Sequence, residues 1–286
     1  MATPAVLLYA PDGMQFDLYG GSRGTGKNLG RTAPIAPGGQ GSTGGFDSLQ
    51  RYPFGTRMVL QDGRSFRFSV AGAADLVVGN LLEAAANIAG NINQTAVASA
   101  AGARQPQVTV GATSTTGDQY AGGYANVSVT PDLGSIYLID NHAAATNGTT
   151  QTLNLAPGHV LHNAWTTTSR VDFIKHPNDG VIQSPATTAV GIPVGVAVSV
   201  IKAYNTNGQA LAFGWIQTAG IASMLISGTI VLGGPIVRSG VAAGAGSAAL
   251  ITVAGSTQSK ESLVGYAQIL TATATGCPIK LILDPS

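Results

Sequence analysis

Eight residues near the N-terminus, Gly21-Ser22-Arg23-Gly24-Thr25-Gly26-Lys27-Asn28, come within one side chain of a phosphate-binding loop. In such a loop, glycines let backbone N–H groups approach the phosphates, a lysine reaches their outer oxygens, and a Ser or Thr hydroxyl holds magnesium. Here Asn28 stands at the hydroxyl position. Leu29 to Pro34 then lead into more Pro and Gly, where a helix would have to bring its N-terminus to the phosphates. The same stretch holds Gly20-Gly21-Ser22-Arg23-Gly24, the spacing of a nucleophile elbow, which needs a strand-to-helix turn and then an acid and a histidine. The helix is missing again. A glycine-rich run produces both matches by composition, so neither nucleotide binding nor acyl transfer is expected.

The other chemistry-bearing types are sparse. Of the four histidines, His142, His159, His162 and His176, the middle two are three apart, which on a strand sends them to opposite faces. Asp140 or Asp172 could complete a metal site, but nothing in the spacing brings them together. Eleven of the 13 acidic residues precede Val181, and Asp12, Asp62 and Asp179 each stand before Gly, where a turn accounts for them. Asn93, Asn126 and Asn147 open N-x-[ST] triplets without a secretory signal to give them meaning. Trp165 and Trp215 read as core or interface anchors, and Cys277, the single cysteine, as a small buried residue. The expectation is no catalytic, metal or cofactor site and no enzymatic activity.

Composition says what must hold these residues. Hydrophobic residues make up 44% of the 286 and charged ones 9%, against roughly 25% charged in an ordinary soluble protein. Glycine, at 39 residues, is about twice its usual share. Gly, Thr and Val abound where Glu, Lys and Leu are scarce, which favours short strands and tight turns over helices. A net charge of +1 gives no field for nucleic acid or an anionic membrane and favours association. Residues 1–10 show no basic n-region, so no signal peptide is expected. Ala219 to Val237 is apolar enough to suggest a membrane span, but Ser227-Gly228-Thr229 and Gly233-Gly234-Pro235 divide it into strand-length pieces.

The predicted architecture is all-β: two small β-sandwich or barrel-like domains preceded by an extended Gly-rich arm and a β-hairpin. Residues 1–50 form the arm, with possible strands at Ala5 to Tyr9 and Gln15 to Tyr19. From Gly20 to Asp47 it lacks the apolar side chains to order itself alone, and Arg23, Lys27 and Arg31 make it locally basic. Residues 51–103 hold a hairpin about Asp62-Gly63, read as a two-residue type I′ turn that sets Val59 opposite Phe66. A connecting segment follows, read as a short helix or an extended connection: Asn80 and Glu83 resemble a capping box and Leu81, Ala85, Ile88 and Ile92 fall at helical spacing, while Gly79, Gly90 and several Asn weigh against a helix.

Residues 104–188 read as one β domain, with strands at Val108 to Val110, Tyr124 to Val129, Ile136 to Ile139, Thr152 to Leu155 and Val171 to Ile174. Residues 189–286 read as a second. Its strands are Val194 to Ile201, Ala210 to Thr218, Ser223 to Ile226, Ile236 to Arg238, Ala249 to Val253, Leu263 to Ile269 and Ile279 to Leu283. Between Val181 and Lys260 only Lys202, Arg238 and Lys260 are charged. A free β domain needs charge to blunt its edges, so this one is expected to form an obligate interface for self-association and docking.

The order of segments from about Arg51 onward resembles the head cement, or decoration, proteins of tailed phages, especially of marine siphophage type. The resemblance is carried by FGTRMVLQDGRSFRFS (Phe54 to Ser69), DLVVGNLLE (Asp75 to Glu83), DQYAGGYANVSV (Asp118 to Val129) and IYLIDNHAA (Ile136 to Ala144). DGVIQSPATTAVGIPVGVAV (Asp179 to Val198), FGWIQTAGIASMLISGTIVLGGPIV (Phe213 to Val237) and Leu263 to Ile269 continue it. The Gly-rich arm before Arg51 departs from the pattern. The resemblance implies a virion protein of the phage head, made in the host cytoplasm. It would bind the major capsid protein across capsomers, with no chemistry and no cofactor; the charge-poor stretch from Val181 to Lys260 adds self-association, as a trimer or else a dimer, and the net charge leaves out nucleic acid and membrane. The alternative is a tail or receptor-binding component of the same particle, against which aromatics at only 6% weigh.

Overall fold

The computed structural model describes residues 7–9, 15–17, 46–47, 50–60, 62–203, 213–249, 262–270 and 276–284. The phosphate-loop and elbow spacings, nearly all of the basic arm, and most of the strand expected at Ala249 to Val253 lie outside them. The strands in chain order begin with β1 (Leu7–Tyr9), β2 (Gln15–Asp17), β3 (Phe46–Asp47), β4 (Arg57–Val59), β5 (Ser65–Val70) and β6 (Leu81–Glu83). Next come β7 (Gln94–Ala96), β8 (Gln107–Thr109), β9 (Tyr124–Val129), β10 (Ile136–His142), β11 (Thr150–Leu155) and β12 (Arg170–Ile174). The last are β13 (Ile182–Gln183), β14 (Pro193–Ala197), β15 (Phe213–Leu225), β16 (Pro235–Arg238), β17 (Gly246–Ala248), β18 (Leu263–Ala267) and β19 (Gly276–Ile282). The fold is all-β, as the composition predicts; the one helical element among the described residues is a 3-10 turn at Ala89–Asn91.

The chain divides into two units at places composition does not mark. Residues 86–176 form one; residues 1–85 and 177–286 together form the other. The division expected at 103/104 and 188/189 is therefore displaced. β7, in the segment read as a connection, pairs with β8 and β12, so it belongs with the strands after it. β6 and β13 flank residues 86–176 in sequence and pair with each other, so that stretch is an insertion.

The inserted unit is a closed antiparallel barrel in the order β10-β11-β8-β7-β12-β9. Closure pairs every strand on both edges, leaving alternation to fill the inside. In β9 and β12, Ala125, Val127, Val171 and Phe173 point inward, joining Tyr120, Tyr137, Ile139, Leu153 and Trp165 in one core.

The other unit is a thirteen-stranded antiparallel sheet with a main path of β17-β16-β18-β19-β15-β5-β4-β1-β2. β15 is its spine, pairing along its length with β5, β14, β3 and β19. The strands expected separately at Ala210 to Thr218 and Ser223 to Ile226 are this single strand. A register shift between Gln217 and Ala219 bends it, and the Gln217 side chain donates to the carbonyls of Ala219 and Ile221, both at 3.0 Å. The apolar run Ala219 to Val237 thus passes through β15, a turn and β16. Among the described residues no helix is long and apolar enough to cross a membrane.

The hairpin about Asp62-Gly63 is present, but its register is corrected by one residue. Met58, not Val59, lies opposite Phe66. Leu60 N–H donates to Arg64 O and Gly63 N–H to Leu60 O, leaving three residues in the turn, with Gly63 at φ 83° in the left-handed region. Met58 is consequently the wholly buried residue of β4, packed with Phe66, Phe68 and Trp215. The capping-box reading of Asn80 and Glu83 is overturned too: both lie at or in strand β6, where Leu81 and Leu82 enter two different cores.

Candidate interaction surface

Three ionised side chains are buried among the described residues: Glu83, Asp132 and Arg238. A charge taken out of water is costly unless fully partnered, so the use of each is informative. Glu83 Oε1 accepts the Ser184 hydroxyl at 2.6 Å and lies 3.5 Å from Arg238 Nε. Its Oε2 accepts the N–H groups of Val190 (3.1 Å) and Gly191 (3.3 Å). Arg238 in turn donates to the carbonyls of Pro185 (2.8 Å) and Thr187 (2.9 Å). Glu83 thus holds both ends of the loop 184–191, and Arg238 holds the carbonyls between them.

Beyond this clamp the chain emerges into solvent. Thr187 through Val190 are exposed, Ile192 is 61% exposed, and the next loop, which follows Arg238, carries Val241 at 84%. The two loops are also joined through backbone: Gly244 N–H donates to Ser184 O. No charged residue occurs in 184–192 or 239–244.

In the barrel, Asp132 does the equivalent work for the β9–β10 turn. Its Oδ1 accepts Ser135 Oγ (2.7 Å) and Asn163 Nδ2 (3.2 Å); its Oδ2 accepts Tyr137 Oη (2.6 Å) and Trp165 Nε1 (3.0 Å). Burial alone would raise its pKa, but these four donors outweigh it and hold the carboxyl below the ordinary value. Around this turn Val129, Leu133 and Ile136 are exposed.

The sheet unit also shows an apolar outer face. Pairing places Tyr266 of β18 opposite Lys280 of β19, and Lys280 opposite Ile221 of β15. All three are exposed, with Ile282 and Leu263 nearby along the same strands. From Val181 onward the described charges are Lys202, paired with Asp75; Arg238, buried; Asp284, paired with Arg67; and Lys280. Lys280 is the only one at the centre of an exposed apolar face.

The residues weighed for chemistry are placed elsewhere. His142 is buried; its Nε2 accepts the Tyr120 N–H at 3.0 Å, and its Nδ1 lies 2.9 Å from Ala143 O and 2.8 Å from Gln151 Nε2. The ring of His162 stands edge-on to Tyr137. Asp140 is exposed beside the Asn141 amide, whereas Asp172 accepts Asn93 N–H and Asn126 Nδ2. Among the described residues no three His, Cys, Asp or Glu side chains lie together as a metal requires. Trp165 and Trp215 are core anchors, and burial pushes the Cys277 thiol up. Read from sequence, Glu83 has a capping role and Arg238 only a place among the few charges after Val181, and Asp132 is not marked; the available signal is an isolated charge within an otherwise apolar run, as at Arg238.

No protein-family model matches the chain, and neither a curated protein nor a solved structure does.

Proposed function

We propose that this is a structural protein whose work is docking to other protein subunits, and specifically a cement protein of a tailed-phage head. It would bind the major capsid protein across capsomers and associate with itself as a trimer. The observation that carries the reading is that the buried Glu83–Arg238 pair holds an uncharged loop with exposed apolar side chains at the surface. Rigid apolar tips lose little entropy on docking, which suits a protein that binds a preformed lattice. The apolar face of Tyr266 and Ile221 about Lys280 suits contact between copies, and the uncharged loop tips match the charge-depleted core usual in interfaces.

A cement protein binds the built shell and stabilises it by linkage without directing its assembly. Particles lacking the protein should therefore assemble heads that release DNA at a lower temperature, and adding back the purified chain should restore the original temperature. Heads of unchanged heat stability that fail to attach to cells would instead assign the protein to the tail or receptor-binding apparatus.

A further inference from the structure

We infer that the Glu83–Arg238 pair is a positioning device, and that the tips it fixes, Val190, Ile192 and Val241, enter an uncharged apolar cleft on a subunit of a different protein. The inference rests on the docking function proposed above and names which surface of the chain performs it. A buried ion pair contributes little net stability over an apolar pair of similar volume, so its presence calls for another explanation. Here the geometry supplies one. Of the groups these two side chains bind, four are main-chain atoms of a single loop: the carbonyls of Pro185 and Thr187 and the N–H groups of Val190 and Gly191. An apolar pair could bind none of them, so only the charged pair fixes the loop's course. The second tip starts from the same point: Arg238 ends β16, the Ser239 hydroxyl after it accepts the N–H groups of Val241 and Ala242, and Gly244 N–H ties that loop to Ser184 O.

The chemistry of the tips selects the occupant. Without a cation they cannot neutralise phosphate, which disfavours nucleic acid and anionic lipid. Without an aromatic they offer no stacking platform for a sugar. Projecting β-branched side chains bury most area in a concave apolar site, whereas two copies meeting tip to tip would bury little. A concave, uncharged surface on another protein is what they fit, and in the proposed role that protein is the shell subunit.

Two variants test this with heads purified without the protein as the binding probe. In the first, Glu83→Leu with Arg238→Met, the clamp is removed while volume is kept. Amide exchange at Val190 and Gly191 should accelerate, thermal unfolding should change little, and affinity for heads should fall about tenfold or more. Unchanged exchange at those amides overturns the clamp. The second, Val190→Thr, Ile192→Thr and Val241→Thr together, leaves the clamp's hydrogen-bonding groups in place and alters only side chains of exposed residues, so it decides the docking role even where the first variant does not fold. It should lose a similar factor in head binding at unaltered sedimentation. Head binding equal to the unaltered chain overturns the inference alone. A lowered oligomeric state assigns the tips to contacts between copies and overturns the occupant. Flotation of the unaltered chain with phosphatidylcholine vesicles, abolished by the Thr variant, overturns it in favour of a membrane. Failure of the unaltered chain to bind heads at all removes the functional reading and the occupant with it, while the exchange measurement still decides the clamp.

Discussion

Asp132 sits at φ 75°, a left-handed conformation that an L residue adopts only when its surroundings insist. The four hydrogen bonds on its carboxylate are that insistence, and they bind together the β9–β10 turn, Tyr137 and Trp165. Its folded pKa is lowered, so its contribution is complete above the ordinary value of 3.8 and is lost as pH falls below it. Asp132→Asn should cost roughly 1–3 kcal/mol at neutral pH, since an amide cannot accept from all four donors. The same variant should lose less of its remaining stability between pH 5 and pH 2 than the unaltered protein; denaturant titrations across that range, given as about three or four points, measure both effects. A parallel-slope acid limb in the two proteins would show that another carboxylate dominates. The corrected hairpin register yields a sharper contrast. Met58 is wholly buried against Phe66, whereas Val59 is only partly covered. Met58→Ala should cost about 2–5 kcal/mol and Val59→Ala about 1 or less. The two-residue turn reading makes the opposite assignment, so the pair of midpoints decides between registers.

At the scale of elements, what could be read from sequence was what depends on neighbours along the chain. β9 was legible to the residue because Ala125 and Val127 alternate with polar positions between clear turns. β12, β10 and β11 were legible to within a few residues for the same reason. Apart from the hairpin register, where the turn holds one more residue than read, the failures involve partners far away in sequence. Glu83 three residues after Asn80 has the spacing of a helix cap, but Ser184 and Arg238, which settle its role, lie 101 residues or more away. β15 reads in the sequence as two strands, with 219–222 between them. Its continuity depends on Gln217, whose amide serves two carbonyls at the bend, and on Gly220 at φ 83° beside Arg64. A Cβ at position 220 would come within 2.9 Å of the Arg64 backbone in addition to occupying a strained φ. Gly220→Ala should therefore destabilise by about 1–3 kcal/mol. Because β5 pairs with β15 on one side of this bend and β19 on the other, amide exchange should rise in both strands. Exchange confined to β15 would mean that the bend is a local feature and not what joins the two halves of the sheet.

At the scale of the molecule, composition pointed to two β domains in tandem, and the chain instead interrupts one sheet to build a barrel and then resumes it. Low charge and high glycine run through both units, so no change in composition marks the crossing points at Ala85 and Pro177. What marks them is hydrogen bonding: β6 and β13 pair across the insertion, and β7 pairs only within it. This has a consequence for independent stability. Residues 86–176 own a core of Trp165, Tyr120, Tyr137 and ten smaller side chains, and every barrel strand is paired on both edges within the unit. A domain of roughly ninety residues with a contiguous core is large enough to fold alone. Expressed by itself, 86–176 should unfold cooperatively, with the fluorescence of Trp165, its single tryptophan, reporting the same midpoint as far-UV dichroism. The sheet unit differs: its strands come from both sides of the insertion, and β15 draws on β5 from before it and β19 from after it. Residues 177–286 alone leave β15 without β5 and β14 without β6, exposing two edges and the apolar side chains packed there. That fragment should aggregate or remain unfolded, whereas 86–176 stays soluble. A cooperatively folded 177–286 would show that the C-terminal strands form a domain of their own, as the charge-poor stretch after Val181 had suggested.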